Sequence, residues 1–202
     1  ACIYEVLSVD NSKGEPVYDY TESTSMRSTG TGSLNNDKSE LKITNGPAGL
    51  KILSIENESS DGKTPEKQAY DPPLMYFSKD AAAGKSWEVG TMREGDVTNL
   101  MTAKGVGKET VTVPAGTFKE CLKVVYTSDD ISGSMEIMGQ KFTFTSGKSR
   151  GIYWVADGIG VVKELEVSTS TAQAPGPGGG FVTMDGATVT VTELKPGYVV
   201  KK

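Results

Sequence analysis

The 202-residue chain contains no histidine. Ser-His-Asp and Cys-His nucleophilic systems are therefore impossible within it, as are His-ligated zinc and iron sites built from two histidines and a carboxylate. Its two cysteines cannot make a four-cysteine metal site. No uninterrupted apolar run reaches the roughly 18 residues that a membrane-spanning helix needs. A basic excess is missing too: net charge is −5, with acids spread along the chain. That balance argues against nucleic acid and against anionic membrane surfaces. Catalysis would have to rest on carboxylates, lysines or tyrosines, and no paired arrangement of these stands out. The residue set points to a binding or structural role, with no catalytic residue, metal ligand or cofactor expected.

What is present is strand chemistry punctuated by turns. From Glu109 to Tyr126, Val111 and Val113 alternate with Thr110 and Thr112 ahead of a Pro114-Ala115-Gly116 corner. Proline cannot donate to a sheet ladder and glycine tolerates positive φ, so the chain must turn there. After the corner, Phe118, Leu122, Val124 and Tyr126 read as one apolar face, with Lys119, Cys121 and Lys123 on the other. Leu122 is thus expected in the core and Lys123 in solvent. Asp157-Gly158 gives a second hairpin signal inside 151–167. The segments 131–138 and 141–146 read as another hairpin, with Ile131, Met135, Phe142 and Phe144 as core candidates.

Strands are expected also at 3–9, 16–25, 31–34, 39–44, 49–57, 74–77, 86–93, 97–103, 107–113, 117–127, 150–156, 160–171, 180–184 and 187–194. Surface loops are expected at 58–73 and 172–180, and one helical turn near Lys79–Ala83. Short strands at this spacing predict a single all-β domain over 1–202, mainly antiparallel, as a strongly curved sheet, half-barrel or open barrel. Trp87, Tyr153 and Trp154 are candidates for an aromatic binding surface, although aromatics more often fill cores. Asp10 to Glu15 resembles a calcium loop but fits an Asx turn better. Gly158-Ile159-Gly160 lacks the helix that a phosphate loop opens, and Asp129-Asp130 reads as a solvated turn. Lys163, beside Glu164 and Glu166, suits a cross-strand ion pair on a wet face.

Three blocks carry a family resemblance: Gly84-Lys85-Ser86-Trp87, the corner from Val113 to Phe118, and Tyr153 to Lys163. Over residues 74–195 the chain resembles a family of uncharacterised bacterial exported proteins. That resemblance implies the curved antiparallel half-barrel of lipoprotein carriers and a location in the periplasm, on the outer-membrane surface or outside the cell. It brings no catalytic residue. Ala1-Cys2 leads straight into strand-like sequence, so the expectation is a cytosolic chain or one whose signal peptide has been removed. In an exported protein, Cys2 and Cys121 would pair as a disulfide. The alternatives are a lipid anchor at Cys2 or two free thiols. The expected role is a non-enzymatic envelope or secreted domain that binds a protein or glycan, with a carrier of a lipid or other apolar ligand as the alternative. A carboxylate-based hydrolase is the remote third reading.

Overall fold

A computed structural model describes residues 2–12, 14–27, 34–57, 66–94, 96–137, 140–176 and 178–196. Among these every regular element is a β-strand and every pairing is antiparallel. The chain divides into two compact units, residues 1–80 and 81–202.

The first unit is a five-stranded meander in chain order: β1 (Cys2–Asp10), β2 (Val17–Arg27), β3 (Leu34–Gly46), β4 (Gly49–Asn57) and β5 (Glu66–Ser78). Leu41, Ile52 and Leu74 are its buried apolar residues, with Ile52 directly opposite Leu74. On β2, Asp19 takes a 2.6 Å ion pair from Lys42 and a 2.8 Å hydrogen bond from the Ser8 hydroxyl. These bonds, Lys42 first, hold its carboxyl below the usual range. The Ser12 amide donates to Asp10 Oδ1 at 2.8 Å, the Asx turn expected there. Two expectations change here. Residues 66–73 are strand, although Pro72-Pro73 read as loop. The Lys79–Ala83 segment is turn without helix, closed by Gly84 at φ 81°. The remainder of that expected loop, 58–65, and the expected strand residues 31–33 lie outside the described residues.

The second unit holds β6 (Ser86–Glu94), β7 (Val97–Val113), β8 (Gly116–Ser128), β9 (Ile131–Ile137), β10 (Gln140–Ala156), β11 (Gly160–Pro175) and β12 (Phe181–Glu193). The sheet order is β12-β11-β10-β8-β7-β6. Strand β9 pairs with both β10 and β7, so β7, β8, β10 and β9 close a small ring within the curled sheet. The Pro114-Ala115 corner joins β7 to β8 as expected, with Val113 opposite Gly116. The 97–103 and 107–113 runs form one strand, because the ladder crosses Gly105 and Gly107 by a bulge that extrudes Val106. Asp185-Gly186, the gap between the expected strands 180–184 and 187–194, lies inside β12. Of the expected 172–180 loop, residues 172–175 are strand, because β11 runs on to Pro175, and residue 177 lies outside the described residues.

The expected faces of β8 are also wrong in part. Opposite Thr110, β8 carries two residues, Lys119 and Glu120, and Glu120 has φ 55°. This bulge shifts the pleat by one residue. Cys121 joins Phe118 on the inner side of a cluster with Val111, Val113, Trp154, Ala156 and Val162, while Leu122 is only half-buried. Lys123 is half-buried rather than solvated. Val124 and Tyr126 are enclosed on the other face, so β8 is packed on both sides.

Leu74 is 1% exposed. Leu74→Ala is expected to cost about 2–5 kcal/mol in urea unfolding, and the half-buried Leu122→Ala clearly less. Equal losses would refute this assignment of cores.

Candidate functional site

The face of the second sheet that carries Cys121 also carries a row of side chains crossing the strands. Lys123 lies opposite Trp154, Trp154 opposite Lys163, and Lys163 opposite Glu193, from β8 to β12. Trp154 is 8% exposed, and its indole N–H donates to Glu109 of β7. Lys123 Nζ lies 3.4 Å from the same Glu109 oxygen and 5.2 Å from the centre of the indole ring. Lys163 Nζ sits 5.9 Å from that ring and 2.7 Å from Glu193 Oε1. Lys163 thus makes the expected cross-strand ion pair, with Glu193 of β12. Each cation contacts both a π face and a carboxylate. The Trp154 hydrogen bond, assisted by the Lys123 charge, holds the Glu109 carboxyl below its ordinary value against the opposing effect of desolvation. These charges satisfy one another, so the row fastens strands and presents no free acid or nucleophile.

Beneath it Cys121 is fully enclosed, its thiol 3.5 Å from the Phe118 carbonyl oxygen. It is a free thiol, so the expected bond to Cys2 is not formed. The Glu120 bulge puts Cys121 on the same face as Phe118, inside the enclosed cluster with Val111, Trp154 and Val162. Burial pushes this thiol's pKa up, opposite to what a reactive cysteine needs. The side chain of Cys2 lies outside the described residues.

Trp87 and Tyr153 come together on the opposite face, through a third aromatic residue, on β8. Tyr126 makes edge contacts with both, at 6.2 Å and 87° to Trp87 and at 4.7 Å and 71° to Tyr153. Burial raises the Tyr126 phenol well above its ordinary pKa. Trp154 cannot join this ladder, because it follows Tyr153 in one strand and neighbouring side chains alternate sides. The three candidate aromatics therefore form two separate arrangements.

Two hollows flank this part of the sheet. A small one, about 20 Å³, lies beside Tyr126 and Tyr153. A groove of about 510 Å³ is walled by Asp129, Asp130, Thr145, Lys148, Thr169, Thr171 and Asp185. Thr171 donates to Asp185 at 2.7 Å there. The groove reaches β12, whose Asp185, Gly186 and Ala187 form one wall. Sequence reading missed it because its residues are scattered over three strands and one turn. No group of three or more acids or cysteines among the described residues is placed to hold a metal, and no helix among them is long and apolar enough to cross a membrane.

Since the Glu109 pKa is depressed, its stabilising contribution is present above the ordinary carboxylate range and is lost as pH falls through the folded value. In a carboxyl-resolved NMR titration Glu109 should have a midpoint below that of an ordinary glutamate, and Trp154→Phe should raise it. An unchanged midpoint in that variant would show that the indole does not hold this carboxylate.

Comparison with known proteins gives one result. Residues 55–168, more than half of the chain, match the sequence model of the DUF3108-like family. The matched stretch runs from β4 into β11 and includes Trp87, Glu109, Cys121, Tyr126, Tyr153 and Trp154, while β12 lies beyond it. No curated protein and no solved structure matches the chain.

Proposed function

This chain belongs to the DUF3108-like family, a family of unknown function, and on that footing we propose that it is a non-enzymatic, exported β-domain that binds an extended polypeptide along the open edge of β12. The edge strand itself carries this reading. All thirteen residues of β12 pair with β11 in unbroken register. Among the described residues its other edge pairs with nothing. Natural edge strands are blunted by lysines, prolines, bulges or shortness. The β12 sequence has no lysine, arginine, proline or bulge. It leaves Phe181 75%, Val189 66% and Val191 57% exposed. Such an edge accepts an added strand through main-chain hydrogen bonds, with alternate side chains setting preference. Asp185 on β12, with Asp129 and Asp130 across the groove, outweighs Lys148 there and favours a partner that brings basic residues.

The carrier reading asks for an apolar interior of about 300 Å³ or more. The groove of about 510 Å³ is walled mainly by hydroxyl and charged side chains, Lys148 among them, which suits a polar chain better than an acyl tail. Support for export comes from the resemblance of residues 74–195 to exported proteins.

A photo-crosslinking residue at position 189, in protein expressed in its native compartment, should capture a discrete polypeptide. The same residue at position 106, also exposed at the Val106 bulge, should not. Adding Val191→Lys should abolish the adduct while leaving stability within about 0.5 kcal/mol. Capture that is equal at both positions, or absent at 189, would reject the edge as the binding surface.

A further inference from the structure

The ring formed by β7, β8, β10 and β9 leaves two buried oxygens without hydrogen-bond partners among the described residues, Ser128 Oγ and Asn99 Oδ1. Ser128 is 3% exposed and lines the small hollow beside the aromatic ladder. Its direction follows from register. Residues 122–128 of β8 pair with β10 without a bulge, so Ser128 shares the face of Tyr126 and lies opposite Ser149. Directly opposed residues on one face have Cβ atoms about 5 Å apart. The Ser149 hydroxyl donates to Glu166 Oε1 at 3.1 Å, and Glu166 belongs to β11, the strand beyond. Both residues line the same hollow. Gly151, opposite Tyr126, supplies no side chain to fill it. A Cβ there would stand 2.6 Å from the Tyr153 ring, so glycine is what admits that ring as the lid.

The hollow measures about 20 Å³. A water molecule requires at least roughly 10–15 Å³ and two or more polar partners. A larger ligand does not fit, and a buried hydroxyl with no partner is a net destabilising element in any fold. We propose that this hollow is a binding site for one water molecule, held between Ser128 Oγ and the Glu166 carboxylate with Ser149 as its third neighbour. The water accepts from the Ser128 hydroxyl and donates to the carboxylate. It thereby joins β8 to β11 across β10. This site is independent of the β12 edge and stands whether or not that edge binds a partner.

The test uses the sign of a stability change together with direct detection. If the Ser128 hydroxyl is bonded to water, Ser128→Ala lowers the melting temperature by a few degrees; if it is bare, removing it raises the melting temperature. Water-selective NOE and ROE spectra of the wild type should show a long-lived water contacting the Ser128 and Ser149 amides. Ser149→Ala provides a second variant should the first fail to fold, and it is expected to weaken that cross-peak. Absence of the water cross-peak in the wild type, or a melting temperature of Ser128→Ala at or above that of the wild type, overturns the proposal.

Discussion

The second unit depends on a single extra residue in β8. Lys119 and Glu120 face one residue of β7, and Glu120 absorbs the mismatch at φ 55°. A strict two-residue alternation from Phe118 would send Cys121 outward with Lys119. With the bulge, Cys121 and Phe118 share one side while Leu122, Val124 and Tyr126 take the other. Everything downstream inherits that phase. It places Lys123 opposite Trp154 on the side of Glu109, and it turns Tyr126 and Ser128 towards Tyr153 and Ser149. One sheet thereby acquires two packed surfaces of different character, a thiol-centred apolar cluster under a charged row, and an aromatic ladder beside a small polar hollow.

Magnitudes indicate what each surface contributes. Exposed ion pairs are worth about 0–1 kcal/mol and cation–π contacts about 0.5–1 kcal/mol at such sites. The row through Trp154 therefore adds little net stability compared with burial of Trp154, Cys121, Val111 and Val162 beneath it. Its contribution is to register: the charges favour one alignment of β7, β8, β10, β11 and β12, and a one-residue slip would break all of the contacts together. At the far end that alignment stops at β12, where the charges thin out and an unguarded edge begins. The proposed binding surface follows from where the row ends.

Much of the architecture was legible in the sequence, for identifiable reasons. Thr-Val alternation ahead of Pro114-Ala115-Gly116 marks a hairpin because proline and glycine act locally. Asp157-Gly158 succeeds likewise, with Gly158 at φ 70°. Turn chemistry misled where tertiary pairing overrode it. Asp185-Gly186 and Gly105-Val106-Gly107 look like breaks, yet long partner strands carry the ladder through them. Pro72-Pro73 reads as loop but sits in β5, where the ladder to β4 shifts register on both sides of Leu74. The division into two compact units is not marked in the strand patterning, because strands of the same alternating type continue on both sides of residue 80. The site was less legible still. Trp87 and Tyr153 were visible, but their joining residue Tyr126 was assigned to the core alone. The Cys121 expectation went astray because Lys119, Glu120 and Lys123 mask a bulge that no single residue type announces.

The measurement that bears most directly on this account compares glycine substitutions at the two residues of the bulge. A non-glycine residue held at positive φ stores of order 1 kcal/mol or more, which glycine relieves, against a somewhat smaller cost in unfolded-chain entropy. The Lys108–Glu120 ion pair lost in the exchange is 3.9 Å long between side chains 59% and 77% exposed, and contributes little. Urea unfolding should therefore show Glu120→Gly as stable as the parent protein or up to about 1 kcal/mol more stable. Lys119→Gly, in ordinary strand conformation, should lose about 0.5–1 kcal/mol. Equal losses at both positions would mean that Glu120 is not at positive φ, and that the phase of β8, with the placement of Cys121, Trp154 and Ser128 that follows from it, is wrong.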